Sequence, residues 1–319
     1  MKQSFPKPRI IISRCLEFDA CRYNGLLISD QFIKKMKNFC DFITVCPEVD
    51  IGMGTPRKSI SIIDDDSYRL VQHDTNIDYT DKMNNFSNKY LNEIKDIDGF
   101  ILKNKSPSCG INSARVFKKD NSFKKMGDGL FASEVKKKFP NHPKEEEKRL
   151  NNQYLREHFL TSIYILAQFR FLKSSGPSFK DLYEFQAKNK YLFLTYNQVQ
   201  MRNLGKIAAN HSNHSITEVI KKYESILFKL IKRRPSFRSN LNTLEHVFGH
   251  FSNKLSLKER NFFFKTMNDY EQKKIPLSSV CNLIFSWSIR FNDVYILNQS
   301  YFRPFPIELI ETDNSRLHL

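Results

Sequence analysis

The chain has 319 residues, of which 40% are hydrophobic and 27% charged, and it carries a formal net charge of +17. This mix excludes a disordered or fibrous chain, and no run of about 18 apolar residues offers a membrane span. The length predicts two domains, and the basic balance points to an anionic partner, nucleic acid before a membrane surface.

The first residues, Met1-Lys-Gln-Ser-Phe-Pro-Lys-Pro-Arg9, have neither the apolar core nor the cleavage site of a secretory signal, so a cytoplasmic protein is expected. Six cysteines without an export signal argue for reduced thiols and against a disulfide framework.

Three apolar runs lead into cysteines: Arg9-Ile-Ile-Ile-Ser-Arg-Cys15, Asp41-Phe-Ile-Thr-Val-Cys46 and Gly99-Phe-Ile-Leu-Lys-Asn-Lys-Ser-Pro-Ser-Cys109. As strands of one parallel sheet they would bring Cys15, Cys46 and Cys109 to its carboxyl edge, where open α/β sheets bind ligands. Between the runs, residues 29–39 place Phe32, Met36 and Phe39 at helical spacing, and residues 80–97 do so with Met83, Phe86, Tyr90, Leu91 and Ile94. These are the expected crossover helices. Ser59 to Ile63 is a further short strand, closed by the acidic turn Asp64 to Asp66. A helix is expected from Gly127 to Lys138, stopped by Pro140 and Pro143, and a longer one from Glu146 to Leu172.

Lys173-Ser-Ser-Gly-Pro-Ser178 reads as a linker. Beyond it, residues 181–196, 199–210, 216–232, 241–253, 257–273 and 277–290 each repeat apolar residues three and four apart. The expected architecture is an α/β N-terminal domain with a mostly parallel sheet over residues 1–172, followed by an all-α helical domain over residues 173–319.

Free cysteine is commonly a small buried apolar residue, and Cys21, Cys40 and Cys281 are read that way. For Cys15, Cys46 and Cys109 the spacing alone leaves a metal site, a redox pair and plain burial open, because no close Cys-x-x-Cys pair is present. Context favours a site: Cys46 precedes Pro47-Glu48, and Cys109 closes the turn-rich segment Lys103-Asn-Lys-Ser-Pro-Ser-Cys-Gly110.

Seven short motifs occur in a telling order: Ser13-Arg-Cys-Leu16, Arg22-Tyr-Asn-Gly25, Cys46-Pro-Glu-Val49, Thr55-Pro-Arg57, Gly99-Phe-Ile-Leu-Lys103, Ser106-Pro-Ser-Cys-Gly110 and Gly129-Leu-Phe131. Together they resemble the thiouracil and thiouridine desulfidase family across most of residues 8–165. The resemblance implies a 4Fe–4S cluster held by Cys15, Cys46 and Cys109, with one iron lacking a protein ligand, and catalytic roles for Glu48 and Ser106. The second half, with Lys188-Asn-Lys-Tyr-Leu-Phe-Leu194, Arg202-Asn-Leu-Gly-Lys206, Gly249-His-Phe251 and Gln299-Ser-Tyr-Phe-Arg-Pro-Phe-Pro306, resembles a helical domain of unassigned function often fused to that desulfidase. Gln186 and Tyr196 stand where that resemblance leads one to expect histidines. The two-part arrangement is similar to the tRNA 4-thiouridine desulfidases, which implies thiolated tRNA as partner; no obligate protein partner is inferred.

The chemistry suits these residue types. Iron is thiophilic and accepts a substrate sulfur, while a carboxylate such as Glu48 relays protons. Arg22, Tyr23, Asn24, Arg57, Lys103 and Lys105 lie in or beside the cysteine loops and are candidate contacts to phosphate, ribose or a uracil edge. Equally, each alone is an ordinary surface residue, and Asn24-Gly25 an ordinary turn. In the helical half, Lys232-Arg-Arg234 and Arg238 around Phe237 suit phosphate contact with base stacking, or equally a helix C-terminus. His211, His214, His246 and His250 lack partners at zinc-ligand spacing, and the last two are read as lining one helix. Two other substrates, free thiouracil and 4-thiouridine monophosphate, remain open, as does a non-enzymatic iron–sulfur sensor or RNA-binding regulator.

Overall fold

The computed structural model describes residues 4–310 apart from residues 66, 73 and 210–213. Two compact units emerge, one running to Ala167 and resuming at Glu308, the other spanning Gln168–Ile307.

In chain order the first unit contains β1 (Arg9–Ser13), α1 (Gln31–Met36), β2 (Asp41–Val45), α2 (Pro47–Asp50), β3 (Ile60–Asp64), β4 (Tyr68–Gln72), α3 (Thr80–Glu93), β5 (Gly99–Leu102), β6 (Ala114–Phe117), β7 (Phe123–Gly127), α4 (Leu130–Lys138) and β8 (Lys144–Glu146). Helix α5 (Gln153–Ser174) follows, and the division between the units falls inside it. The first sheet has strand order β2-β1-β5-β8, parallel throughout. Ile10, Ile11 and Ile12 of β1 are fully buried, as expected of a central parallel strand covered on both faces. The fold is thus an α/β unit with a mostly parallel sheet, followed by a helical region.

Two expectations for this first unit are corrected. The strand near Ser59 exists, but it belongs to a second four-stranded sheet of order β4-β3-β6-β7, in which β3–β4 and β6–β7 are antiparallel. Strand β7, with four of its five residues exposed, carries no apolar signature by which to find it. The long helix does not begin at Glu146, because residues 144–146 extend the first sheet as β8 and the helix starts at Gln153. Glu146 and Glu147 are each 1% exposed, their carboxylates turned to partners in a neighbouring loop. The two sheets share one core in which Ile11, Phe100 and Leu102 meet Ile60, Ile62, Leu70 and Val116, with Met83, Leu91, Phe131 and Val135 from α3 and α4. Helix α5 reaches the first sheet at Gly99, where an added Cβ would stand 2.9 Å from the Ile163 side chain.

The second unit contains α6 (Phe179–Lys188), α7 (Lys190–Tyr196), α8 (Gln198–Ala209), α9 (Ile216–Ile231), α10 (Phe237–Phe248), α11 (Leu257–Glu271), α12 (Leu277–Arg290) and α13 (Val294–Leu297). Capping boxes at Ser178/Asp181, Ser215/Glu218 and Ser256/Glu259 start three of them. The single helix expected over residues 181–196 breaks at buried Asn189, whose side chain donates to the Phe185 carbonyl at 2.9 Å and accepts from Ser300 Oγ at 2.6 Å. Tyr223, fully buried, stacks on Phe169 with centroids 5.4 Å apart and donates to Gln186 Oε1 at 2.6 Å. His246 is exposed on α10 and His250 lies beyond its end, so the two do not line one helix face; His211 is outside the described residues. Among the described residues no helix is long and apolar enough to cross a membrane.

Candidate active site

The parallel register places Ser13 of β1 opposite Val45 of β2, and Ile12 opposite Ile101 of β5, so the three carboxyl ends lie level. Cys15 follows β1, Cys46 follows β2 and Cys109 sits in the loop after β5. All three are buried, at 9%, 8% and 4% exposure, and free of disulfides. Cys46 is the residue before α2, its N–H donating to Asp50 Oδ2 at 3.2 Å. Asp50 in turn pairs with Arg14 at 2.9 Å, and the Arg14 N–H donates to the Val45 carbonyl at 2.8 Å, so the first two cysteine loops are tied together.

The loop of residues 103–113 is built to hold Cys109. Ser106 Oγ accepts the N–H groups of Ser108 and Cys109 at 3.2 and 3.0 Å, turning the chain as an ST-motif does. From β8, Glu146 accepts the Ile111 N–H and the Asn104 side-chain amide, each at 2.6 Å, as well as the Ser113 hydroxyl. Glu147 accepts the Asn104 N–H at 2.8 Å and pairs with the Lys103 ammonium. On the other side the first turn of α4 donates to the loop, Leu130 N–H to the Pro107 carbonyl and Ala132 N–H to the Ser108 carbonyl, both at 3.0 Å. Gly129 is required at this junction, since a Cβ there would lie 2.4 Å from the Ser108 carbonyl.

Glu48, on α2, is held by two residues. Arg57 donates from Nε to Glu48 Oε2 at 2.9 Å and forms a second bond through Nη2, while Ser108 Oγ donates to Glu48 Oε1 at 3.0 Å. The Arg57 side chain is only 6% exposed, and its Nη1 also donates to the Cys21 carbonyl at 3.0 Å. Arg57 is therefore engaged with the carboxylate, and Lys103 with Glu147. Ser108, to which no role was assigned from the sequence, is fully buried and bonded to Glu48. Only the Ser-Pro-Ser turn preceding Cys109 hinted at it.

Cys21 is the other residue the sequence reading passed over. It is 3% exposed, and its carbonyl accepts from Cys46 Sγ at 3.8 Å. Cys15 pushes the Cys21 thiol up to about 11, and burial adds to this. Cys21 and burial raise the Cys46 thiol above its ordinary range, and burial raises that of Cys109. The donor set fits the iron–sulfur cluster that the resemblance implies: soft thiols, shielded from water, reaching one edge from separate loops. Among the described residues no three His, Cys, Asp or Glu side chains are placed to share a single ion. A cluster distributes its thiolates over several irons, which sets its ligands farther apart than those of one ion.

The remaining candidates lie in exposed loops. Tyr23 is 47% exposed with the Arg22 guanidinium 5.6 Å from its ring centroid, and Asn24 Oδ1 accepts the Leu26 N–H at 3.3 Å as an Asx-turn. Lys105 is exposed, with a left-handed φ of 58°. In the second unit Lys232, Arg233, Arg234 and Arg238 are exposed between and on α9 and α10, while Phe237 packs against Tyr270 with centroids 4.4 Å apart. That contact occupies the ring expected to stack on a base.

Residues 10–147 match the family model described as 2-thiouracil desulfurase, and residues 190–306 match that of a protein of unknown function, DUF1722. The uncharacterized protein YbbK of Bacillus subtilis is 32% identical over 136 residues, covering 40% of this chain and 89% of its own. The uncharacterized protein YbgA of Escherichia coli is 24% identical over 158 residues, 49% of this chain and 94% of its own. Among solved structures, the [4Fe-4S]-dependent thiouracil desulfidase TudS aligns with 46% of this chain and 94% of its own, at 22% identity and a TM-score of 0.37.

Proposed function

The chain belongs to the 2-thiouracil desulfurase family, and from that premise we propose that it is an iron–sulfur desulfidase converting the C=S of a thiolated pyrimidine to C=O. The observation that carries the reading is the meeting of Cys15, Cys46 and Cys109 at one sheet edge beside a carboxylate, Glu48, fixed by Arg57 and Ser108. Those three cysteines hold a 4Fe–4S cluster. When bound, it supplies a thiophilic Lewis acid that polarises the substrate's carbon–sulfur bond.

Glu48 moves the protons: its carboxylate takes one from the attacking water and returns one to the departing group or ring nitrogen. Arg57 and Ser108, one on each oxygen, keep that carboxylate in a single orientation. Ser106 orders the Cys109 turn through its oxygen and keeps its hydroxyl proton for a substrate acceptor. The half-buried Arg22 and the exposed Tyr23, Asn24 and Lys105 contact the sugar or phosphate of the substrate, whereas Arg57 and Lys103 act through Glu48 and Glu147.

The substrate is 4-thiouridine within tRNA. The net charge of +17 and the exposed basic turn at Lys232 to Arg234 support an RNA partner. Free thiouracil is the second reading, favoured by the description of the matched family. Anaerobically reconstituted protein, offered thiolated tRNA, 4-thiouridine monophosphate and 2-thiouracil separately, tests both through loss of thione absorbance. Turnover of tRNA is expected, and turnover of the small molecules alone would overturn the RNA assignment. No turnover of any of the three, with the cluster in place, would favour the sensor.

A further inference from the structure

The outward face of the second sheet has no part in the function proposed above. Its β6–β7 hairpin, residues 114–127, holds five cations against one carboxylate, Asp120, which serves the turn by accepting the Ser122 N–H at 2.9 Å. Ala114 and Val116 point into the shared core, so Arg115 and Phe117 face away from it. The antiparallel register sets Met126 opposite Arg115 and Phe123 opposite Phe117, on the same outward face. Phe123 is 56% exposed and Met126 44%, and Phe117 meets the Phe123 ring at 83° with centroids 6.5 Å apart. Lysines on an edge strand commonly only guard it against pairing. Lys124 and Lys125 fit that role, both turned to Asp64 at 2.9 and 3.7 Å. Arg115, Lys118 and Lys119 are exposed and, among the described residues, form no ion pair. Guarding an edge gives no reason to expose a phenylalanine and a methionine beside them.

The hairpin also grows out of the Cys109 loop. Ala114 follows that loop directly, Asp128 Oδ1 after β7 accepts the Asn112 N–H at 2.7 Å, and the Gly129 N–H donates to the Gly110 carbonyl at 2.8 Å. From Ala114 the strand extends only about 10 Å to Phe117.

We propose that this hairpin face docks an unpaired stretch of the RNA substrate, bases stacking on Phe123 beside Met126 and phosphates held by Arg115, Lys118 and Lys119. It rests on the RNA reading above and adds a contact in the first unit, rooted at the loop that carries Cys109. Exposed aromatic and basic side chains on one sheet face suit a single strand, since every base has a face to stack and every phosphate takes a cation. An apolar protein surface fits worse, because it would cover three cations without giving them partners.

The test measures binding of thiolated tRNA to the full wild-type chain and its variants by fluorescence anisotropy across a salt series, with thermal unfolding and oligomeric state recorded for each. Phe123→Ala and Phe123→Leu should each weaken binding about fivefold or more, while Phe123→Tyr, which keeps a stacking ring, should bind like wild type. Lys118→Gln combined with Lys119→Gln should reduce the slope of log affinity against log salt by about 1.5, the worth of two phosphate contacts. Unchanged affinity in Phe123→Ala overturns the proposal, as does an unchanged slope in the double variant. Full tRNA affinity in Phe123→Ala with an altered oligomeric state would assign the face to a second copy of the chain. Wild-type protein that binds no tRNA would instead sink the RNA reading itself, which separates the two failures.

Discussion

Arg57 and Glu48 form a charge-assisted pair, Nε to Oε2 at 2.9 Å, in which neither side chain is more than 13% exposed. Removing one partner of such a pair strands the other charge, at a cost of about 3–5 kcal/mol. Arg57→Ala should therefore lower unfolding stability by about 3 kcal/mol, and adding Glu48→Gln should restore much of it, since no charge is then left unpaired. Denaturant melts of the two single variants and the double variant check the cycle. A double variant no more stable than Arg57→Ala would contradict it.

Glu48→Ala separates chemistry from cluster binding. The variant should retain its iron and its brown absorbance while losing about 10²–10⁴-fold in desulfuration rate, the usual worth of a general acid–base group. Survival of the rate would remove Glu48 from the mechanism.

Cys15→Ser, Cys46→Ser and Cys109→Ser should each lose iron on reconstitution. Cys40 serves as the control, because it precedes β2 and so lies at the opposite end of that strand from Cys46. Cys40→Ala should keep full iron content, and iron analysis of the four variants tests the assignment.

Gly129→Ala probes the loop from outside the cysteines. The added methyl meets the Ser108 carbonyl at 2.4 Å and the Cys109 nitrogen at 2.8 Å, so the loop or α4 must shift. The expected loss is about 1–3 kcal/mol of stability, as for other overpacked sites, together with reduced iron content. Normal iron content in a destabilised variant would show that the loop tolerates the displacement.

His250 gives the second unit a pH dependence. Tyr191 Oη lies 2.6 Å from its Nε2, and burial together with Lys190 and Lys254 disfavours its protonation, against the opposing pull of Asp293. The folded-state pKa is lowered, so the unfolded chain binds the proton more readily and stability falls as pH drops from about 7 through about 6. Thermal unfolding across that range should show a falling Tm, and His250→Gln should flatten the slope. An equal slope in the variant would exclude His250 as its source.

The cysteine edge was legible because Ile10, Ile11 and Ile12 and the run before Cys109 are plain buried strands, the run before Cys46 is a short apolar one ending on buried Val45, and parallel pairing does the rest. Helix starts at Ser178, Ser215 and Ser256 carry their acidic partners three residues on, and were equally readable. Strand β8 was not: Lys144-Glu-Glu146 has no strand composition, and its pairing with β5 depends on loop groups brought to Glu146 and Glu147 only by the fold. Arg57 looked like a surface cation because nothing in its neighbourhood announces Glu48, nine residues away. Cys21 passed as core filler for the same reason: the Cys46 thiol reaches its carbonyl from 25 positions away, which leaves no mark in local spacing.

The clamp on the Cys109 loop has a consequence for biosynthesis. Glu146 reaches Asn104 and Ile111 across 42 and 35 positions, and Glu147 reaches Asn104 across 43. On the ribosome, Cys15, Cys46 and Cys109 all emerge before the residues that fix the last of them. While the chain is nascent these thiols lack their final spacing, and the completed pocket waits on a strand made after all three cysteines.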